Sequence, residues 1–177
     1  MVAAVVCLVA IAVGFALASH FQESRIAGTV ATTPVAVATS LHCQSINGLP
    51  DPICTPGVTD PRVTQDNLQT TICVSGYTKT IRPSTTYTNA LKKRQISEYG
   101  YTDTNLADYE EDHLIPLELG GHPTDPRNLW PEPRSGPDAA VKKDGVENSL
   151  HSKVCAGLLP LAAAQATFSG NWELAIG

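Results

Sequence analysis

The first residues carry the longest apolar run in the chain. Val2 to Ala18 gives 17 positions without a charged or strongly polar side chain. That is just short of the roughly 20 residues needed to span a bilayer. It ends in Ala16-Leu17-Ala18, a small-residue site of the kind signal peptidases accept. The favoured expectation for residues 1–18 is a cleaved signal peptide. An N-terminal membrane anchor is the alternative, because no basic residue precedes Arg25. Residues 19–40 show few charges and no amphipathic period, and read as an extended linker. Residues 41–69 follow as an irregular cysteine-containing segment, with four prolines between Leu41 and Asn67.

From about Thr70 to the end, periodic patterns predict one folded domain, residues 70–177. Thr71-Ile72-Cys73-Val74 has the composition of a short strand. Ser84 or Thr85 is a suitable N-cap for a helix to about Tyr99, with Tyr87, Ala90 and Leu91 on one face and Gly100 as its stop. Lys92-Lys93-Arg94 reads as a solvated part of that helix, with a phosphate contact as the alternative. Two short strands are expected at His113–Leu117 and Asn128–Trp130, joined by a loop of turn formers. A helix from about Asp138 to Ala156 places Val146, Leu150 and Val154 at i, i+4 and i+8, and Gly157 follows it. Leu159 to Phe168 forms a last helix, with Trp172 closing the core.

Composition narrows the setting. The chain has 177 residues, 42% of them hydrophobic, enough for one domain with a packed core. Its net charge is −5, against the basic footprint usual in nucleic-acid binders. Between Lys79 and Lys153 the balance is milder, 10 basic against 12 acidic residues. Cys7 lies in the apolar run, which leaves Cys43, Cys54, Cys73 and Cys155. An even number in an exported chain reads as two disulfides. Of three pairings, Cys43–Cys54 closing a local loop and Cys73–Cys155 tying the domain start to its last long helix are favoured. A zinc site competes, without any CxxC pair to support it.

Candidate chemistry collects between Asp112 and His151. Asp112 and His113 are neighbours in an extended segment, so their side chains point to opposite sides. Glu147 and His151 are four apart on a helix and share a face. Carboxylate with imidazole suits Mg²⁺, Mn²⁺ or Zn²⁺. Glu147 has a second reading, as the i+4 partner of Lys143. Arg127 and Arg134 are candidates for a phosphate clamp, Trp130 reads as core, and His122 as a surface turn.

The stretch Asp112-His113-Leu114-Ile115-Pro116-Leu117-Glu118-Leu119-Gly120-Gly121, followed by Asn128-Leu129-Trp130, resembles the signature of the His-Asn-His (HNH) endonucleases. With Cys73 to Thr78 and Arg82-Pro83, residues 43 to 172 are similar to small exported bacterial proteins with an HNH-like domain. The resemblance implies an α+β fold: a ββα-metal core with flanking helices and a disulfide-stapled irregular N-terminal segment. It implies that His113 is the general base, that Asp112 and His151 hold one divalent metal ion with Glu147 as a third ligand, and that Asn128 orients the loop around His113. Mg²⁺ or Mn²⁺ is the expected metal, with Zn²⁺ as the alternative. The expected substrate is DNA, with RNA also open, and the expected form is a secreted monomer that meets the membrane only if residues 2–18 stay uncleaved. The chain departs from compact versions of the motif, since His151 follows Asn128 by 23 residues. The rival expectation is a catalytically inactive HNH-like domain that binds DNA or the cell envelope.

Overall fold

The computed structural model describes residues 42–135 and 140–175, so the expected signal or anchor and the linker at 19–40 lie outside them. The described chain is α+β and carries two disulfides, Cys43–Cys54 and Cys73–Cys155. Both are the favoured pairings. In the chain-entropy view they restrict the unfolded state by about 3 kcal/mol and about 4 to 5 kcal/mol respectively. Such bonds suit an oxidising, extracytoplasmic compartment. Among the described residues no helix is long and apolar enough to cross a membrane.

The segment before Thr70 is irregular but belongs to the packed body. Val63 and Leu68 are buried in the main core, and Cys43 packs with Tyr99 and Trp130. The strand expected at Thr71–Val74 does not form. A 3-10 helix at Gln65–Thr70 runs into tight turns, in which the Thr71 and Cys73 amides both donate to the Leu68 carbonyl. With its backbone groups satisfied locally, the segment presents no ladder to a partner strand, and Ile72 is buried singly.

A short helix α1 (Tyr77–Ile81) leads to α2 (Thr85–Glu98). Ser84 caps α2 by accepting the Tyr87 amide, and Gly100, with φ +65°, follows its end. The buried stripe differs from the expected one. Leu91, Lys92, Gln95 and Ile96 face inward, while Ala90 is exposed. Two polar side chains cause the rotation by tying α2 to the neighbouring hairpin. The Lys92 ammonium donates to the carbonyls of Leu106 and Tyr109, and the Gln95 amide to those of Pro126 and Leu129. Of the basic trio expected in solvent, Lys93 and Arg94 are there and Lys92 is not.

The hairpin pairs β1 (Tyr109–His113) with β2 (Leu129–Pro133), antiparallel, with Asp112 opposite Trp130 and His113 opposite Leu129. Asp112-His113 therefore closes β1, where the sequence suggested that it opens the strand. Beyond it, Leu117–Leu119 winds into a 3-10 turn ended by Gly120 at φ +73°. Pro131 and Pro133 fit a strand with one neighbour only. Alternation puts Glu110, Asp112, Trp130 and Glu132 on one face of the hairpin, and Tyr109, Glu111, His113 and Leu129 on the other.

Helix α3 (Ala140–Cys155) and α4 (Leu161–Ser169) complete the fold. Val146, Leu150 and Val154 of α3 bury against Ile115, Leu119, Phe168 and Trp172, the apolar stripe the sequence suggested. Each large side chain so buried contributes roughly 1.5 to 3 kcal/mol. This core fixes α3 against the first-face side of the hairpin, where the candidate site lies.

Candidate functional site

His113 ends β1 with 5% of its surface exposed. Its Nε2 lies 3.0 Å from the Pro123 carbonyl oxygen. A carbonyl only accepts, so Nε2 carries the proton and the neutral ring keeps a lone pair on Nδ1. Burial pushes the His113 pKa below its ordinary value, with the Pro123 contact opposing. The ring is therefore neutral, and one nitrogen is basic, at neutral pH.

Asn128 holds the loop that carries this geometry. Wholly buried, it donates from Nδ2 to the carbonyls of Ile115 and His122. Its Oδ1 accepts the amides of Ile115 and Val58. Gly121 makes the same loop possible, since a Cβ there would stand 1.7 Å from the Ile115 carbonyl oxygen. One side chain and one missing side chain thus set the path from Ile115 to His122 and Pro123.

The other centre is Lys143 of α3, 1% exposed. Its ammonium lies 2.7 Å from Asp112 Oδ2 and 2.6 Å from Glu147 Oε1. It also donates to the His113 carbonyl at 2.8 Å. Burial alone would lower the Lys143 pKa, but the charges of Asp112, Glu147 and Glu132 hold it above the usual lysine range. Burial raises Glu147 to about 7, against the pull of Lys143. Glu132, fully buried with both carboxyl oxygens unpartnered, is raised to about 9 by burial and then by Asp112. On the hairpin's opposite face the Glu111 carboxyl, also unpartnered, rises to about 8 through burial.

Of the expected metal ligands, Asp112 and Glu147 are brought together through Lys143. His151 is not. Its Nε2 sits 2.9 Å from the Ile72 carbonyl oxygen and 3.4 Å from Cys155 Sγ. With Glu118, Asn148 and Tyr77 it lines a separate polar cavity of ≈360 Å³. The reason is helical rise. Asp112 meets α3 at the level of Lys143, and His151 stands eight residues on, about 12 Å along the axis. Among the described residues the one group of three His, Cys, Asp or Glu ligand atoms within 4.8 Å of one another is Cys73, His151 and Cys155. That group could hold a metal ion once its sulfurs are reduced, but in the oxidised protein they bond each other.

Asp112 and Glu147 supply oxygen donors of the type that hard divalent cations take. Three carboxylates surround one ammonium, and neither Asp112 Oδ1 nor Glu147 Oε2 has a hydrogen-bond partner among the described residues. The arginines divide differently from expectation. Arg127 pairs with Asp125 at 2.7 Å and Arg134 with Glu110 at 2.9 Å. Arg82, just after α1, makes no side-chain hydrogen bond or ion pair among the described residues, and its charge is felt by both His113 and Glu118.

The i+4 pairing of Glu147 with Lys143 that the sequence offered does form, but neither Lys143 nor Glu132 was expected in the interior, and Arg82 was named only within the resemblance. Extending the α3 stripe back three residues from Val146 lands on Lys143, and strand parity with Trp130 buries Glu132. Those two signals were present, masked by the habit of assigning charged residues to the surface. No family model matches this chain, and no curated protein or solved structure is significantly similar to it.

Proposed function

We propose that this domain is an exported, metal-dependent endonuclease with a ββα core formed by β1, β2 and α3, hydrolysing phosphodiester bonds in DNA or RNA. The observation that carries the reading is the His113 ring, pinned through Nε2 by Pro123 with a basic Nδ1, next in sequence to Asp112. In this reading His113 Nδ1 takes a proton from the attacking water. Asp112 and Glu147 hold the divalent cation, in place of the Asp112–His151 pair first expected. When bound, the ion supplies Lewis-acid stabilisation of charge on the phosphate and on the departing 3′ oxygen. Asn128 keeps the Ile115–His122 path fixed, so the His113 ring has one orientation. Arg82, without a side-chain partner among the described residues, is suited to grip a non-bridging phosphate oxygen.

Plasmid nicking in Mg²⁺ or Mn²⁺, with and without chelator, tests this. The expected result is metal-dependent nicking that leaves 5′-phosphate ends and is lost in His113→Ala. Equal behaviour of wild type and His113→Ala overturns the enzyme reading.

A catalytically inactive domain that binds DNA or the cell envelope is the second reading. The burial of His113 and the capture of Asp112 by Lys143 favour it. Absence of nicking together with absence of Mg²⁺ or Mn²⁺ binding in calorimetry selects it.

A further inference from the structure

The buried ammonium of Lys143 donates to Glu147 Oε1 and to the His113 carbonyl, and forms an ion pair with Asp112 Oδ2 at 2.7 Å. Each carboxylate spends a single oxygen on this contact. The Asp112 and Glu147 side chains remain 18% and 17% exposed, which leaves Asp112 Oδ1 and Glu147 Oε2 on the outer side of the cluster. A second observation is an unpartnered buried acid beside the cluster. Glu132, wholly buried with both oxygens unpartnered, lies in the field of the same Asp112, Lys143 and Glu147.

We propose that Lys143 is a positioning residue for a divalent-cation site whose protein ligands are Asp112 Oδ1 and Glu147 Oε2. The inference rests on the metal-dependent reading above and deepens it. Asp112 belongs to a strand and Glu147 to a helix, and like charges drive the two apart. The ammonium joins them through their inner oxygens, fixing both side chains with their outer oxygens free. Through the His113 carbonyl the same ammonium sets the end of β1, so the cation site and the base are held by one group. Preorganisation of this kind lowers the ordering cost of binding.

The sign of one substitution separates this role from simple repulsion. A lysine that only opposed a nearby cation would, on removal, let the cation bind more tightly. A lysine that organises the site would, on removal, weaken it. Mn²⁺ binding to the oxidised, disulfide-intact protein is measured by calorimetry and by loss of the free-ion paramagnetic signal. Wild type, Lys143→Met and Asp112→Asn are compared, with folding checked by near-ultraviolet circular dichroism. The expected result is binding by wild type, loss in Asp112→Asn, and at least tenfold weaker binding in Lys143→Met. Unchanged or tighter binding in a folded Lys143→Met overturns the proposal alone, provided that wild type binds Mn²⁺ and nicks DNA. Failure of wild type to bind Mn²⁺ overturns this proposal and the metal-dependent reading together. Should Lys143→Met not fold, the wild-type protein decides. The Lys143 ammonium ¹⁵N resonance, protected by burial, must move on Mg²⁺ titration, and a resonance that stays fixed overturns the proposal.

Discussion

Replacing Glu132 by glutamine should stabilise the protein, by an amount that depends on pH. The wild-type carboxyl is fully buried, has no hydrogen-bond partner, and is raised from 4.5 to about 9 by burial and by Asp112, with Lys143 opposing. The folded state therefore keeps a proton that the unfolded chain releases above pH 4.5. For a raised carboxyl, the stability associated with the proton is fully present below the unfolded pKa and drains away as pH rises towards the folded one. At pH 7 the chain has climbed about 2.5 pH units into that window. At about 1.4 kcal/mol per unit the loss is about 3 kcal/mol. At pH 5 it is under about 1 kcal/mol on the same slope. The variant E132Q keeps the shape and does not titrate, so its advantage should grow from under about 1 to about 3 kcal/mol between pH 5 and pH 7. Urea denaturation followed by circular dichroism at the two pH values measures the difference. Equal or lower stability of E132Q at pH 7 would refute the reasoning, because Glu132 would then be an ionised partner of Lys143.

Three further outcomes are expected. Asn128→Ala leaves the Ile115 amide and carbonyl unpaired in the interior; it should cost about 3 to 5 kcal/mol in denaturation, and a cost under about 1 kcal/mol on the same scale contradicts the pinning role. Replacing Cys73 and Cys155 together by serine should cost about 4 to 5 kcal/mol, measured on the same assay, and full retention of stability contradicts the stapling role. The kcat/KM profile should show its acidic limb below pH 6.5, since burial holds the His113 pKa under its ordinary value and only the neutral ring is basic. A limb above pH 6.5 contradicts His113 as the base.

Much of the architecture was legible because local chemistry and packing agree. Ser84 and Gly100 bracket α2, Val146, Leu150 and Val154 mark the inner stripe of α3, and an even set of four cysteines outside the apolar run pointed to both disulfides. The Asp112-His113 and Asn128 neighbourhood was also visible as a motif. What stayed hidden depends on contacts that pattern does not encode. β1 lies four residues nearer the N-terminus than the strand expected at His113–Leu117, because Leu117–Leu119 satisfies itself as a turn, while β2 runs on to Pro133. Ala90 lost its place on the inner face of α2 because Lys92 and Gln95 supply the backbone contacts of the hairpin. His151 shares a helix face with Glu147, yet spacing along one helix does not say at which level a strand arrives. That level is set by the long-range Asp112–Lys143 pair.

The most direct test is an anomalous difference map of crystals soaked in Mn²⁺. A single peak within coordination distance of Asp112 and Glu147, on the side away from Lys143, is the result this account requires. A map with no peak there, or with its ion beside His151 and the Cys73–Cys155 pair instead, contradicts it.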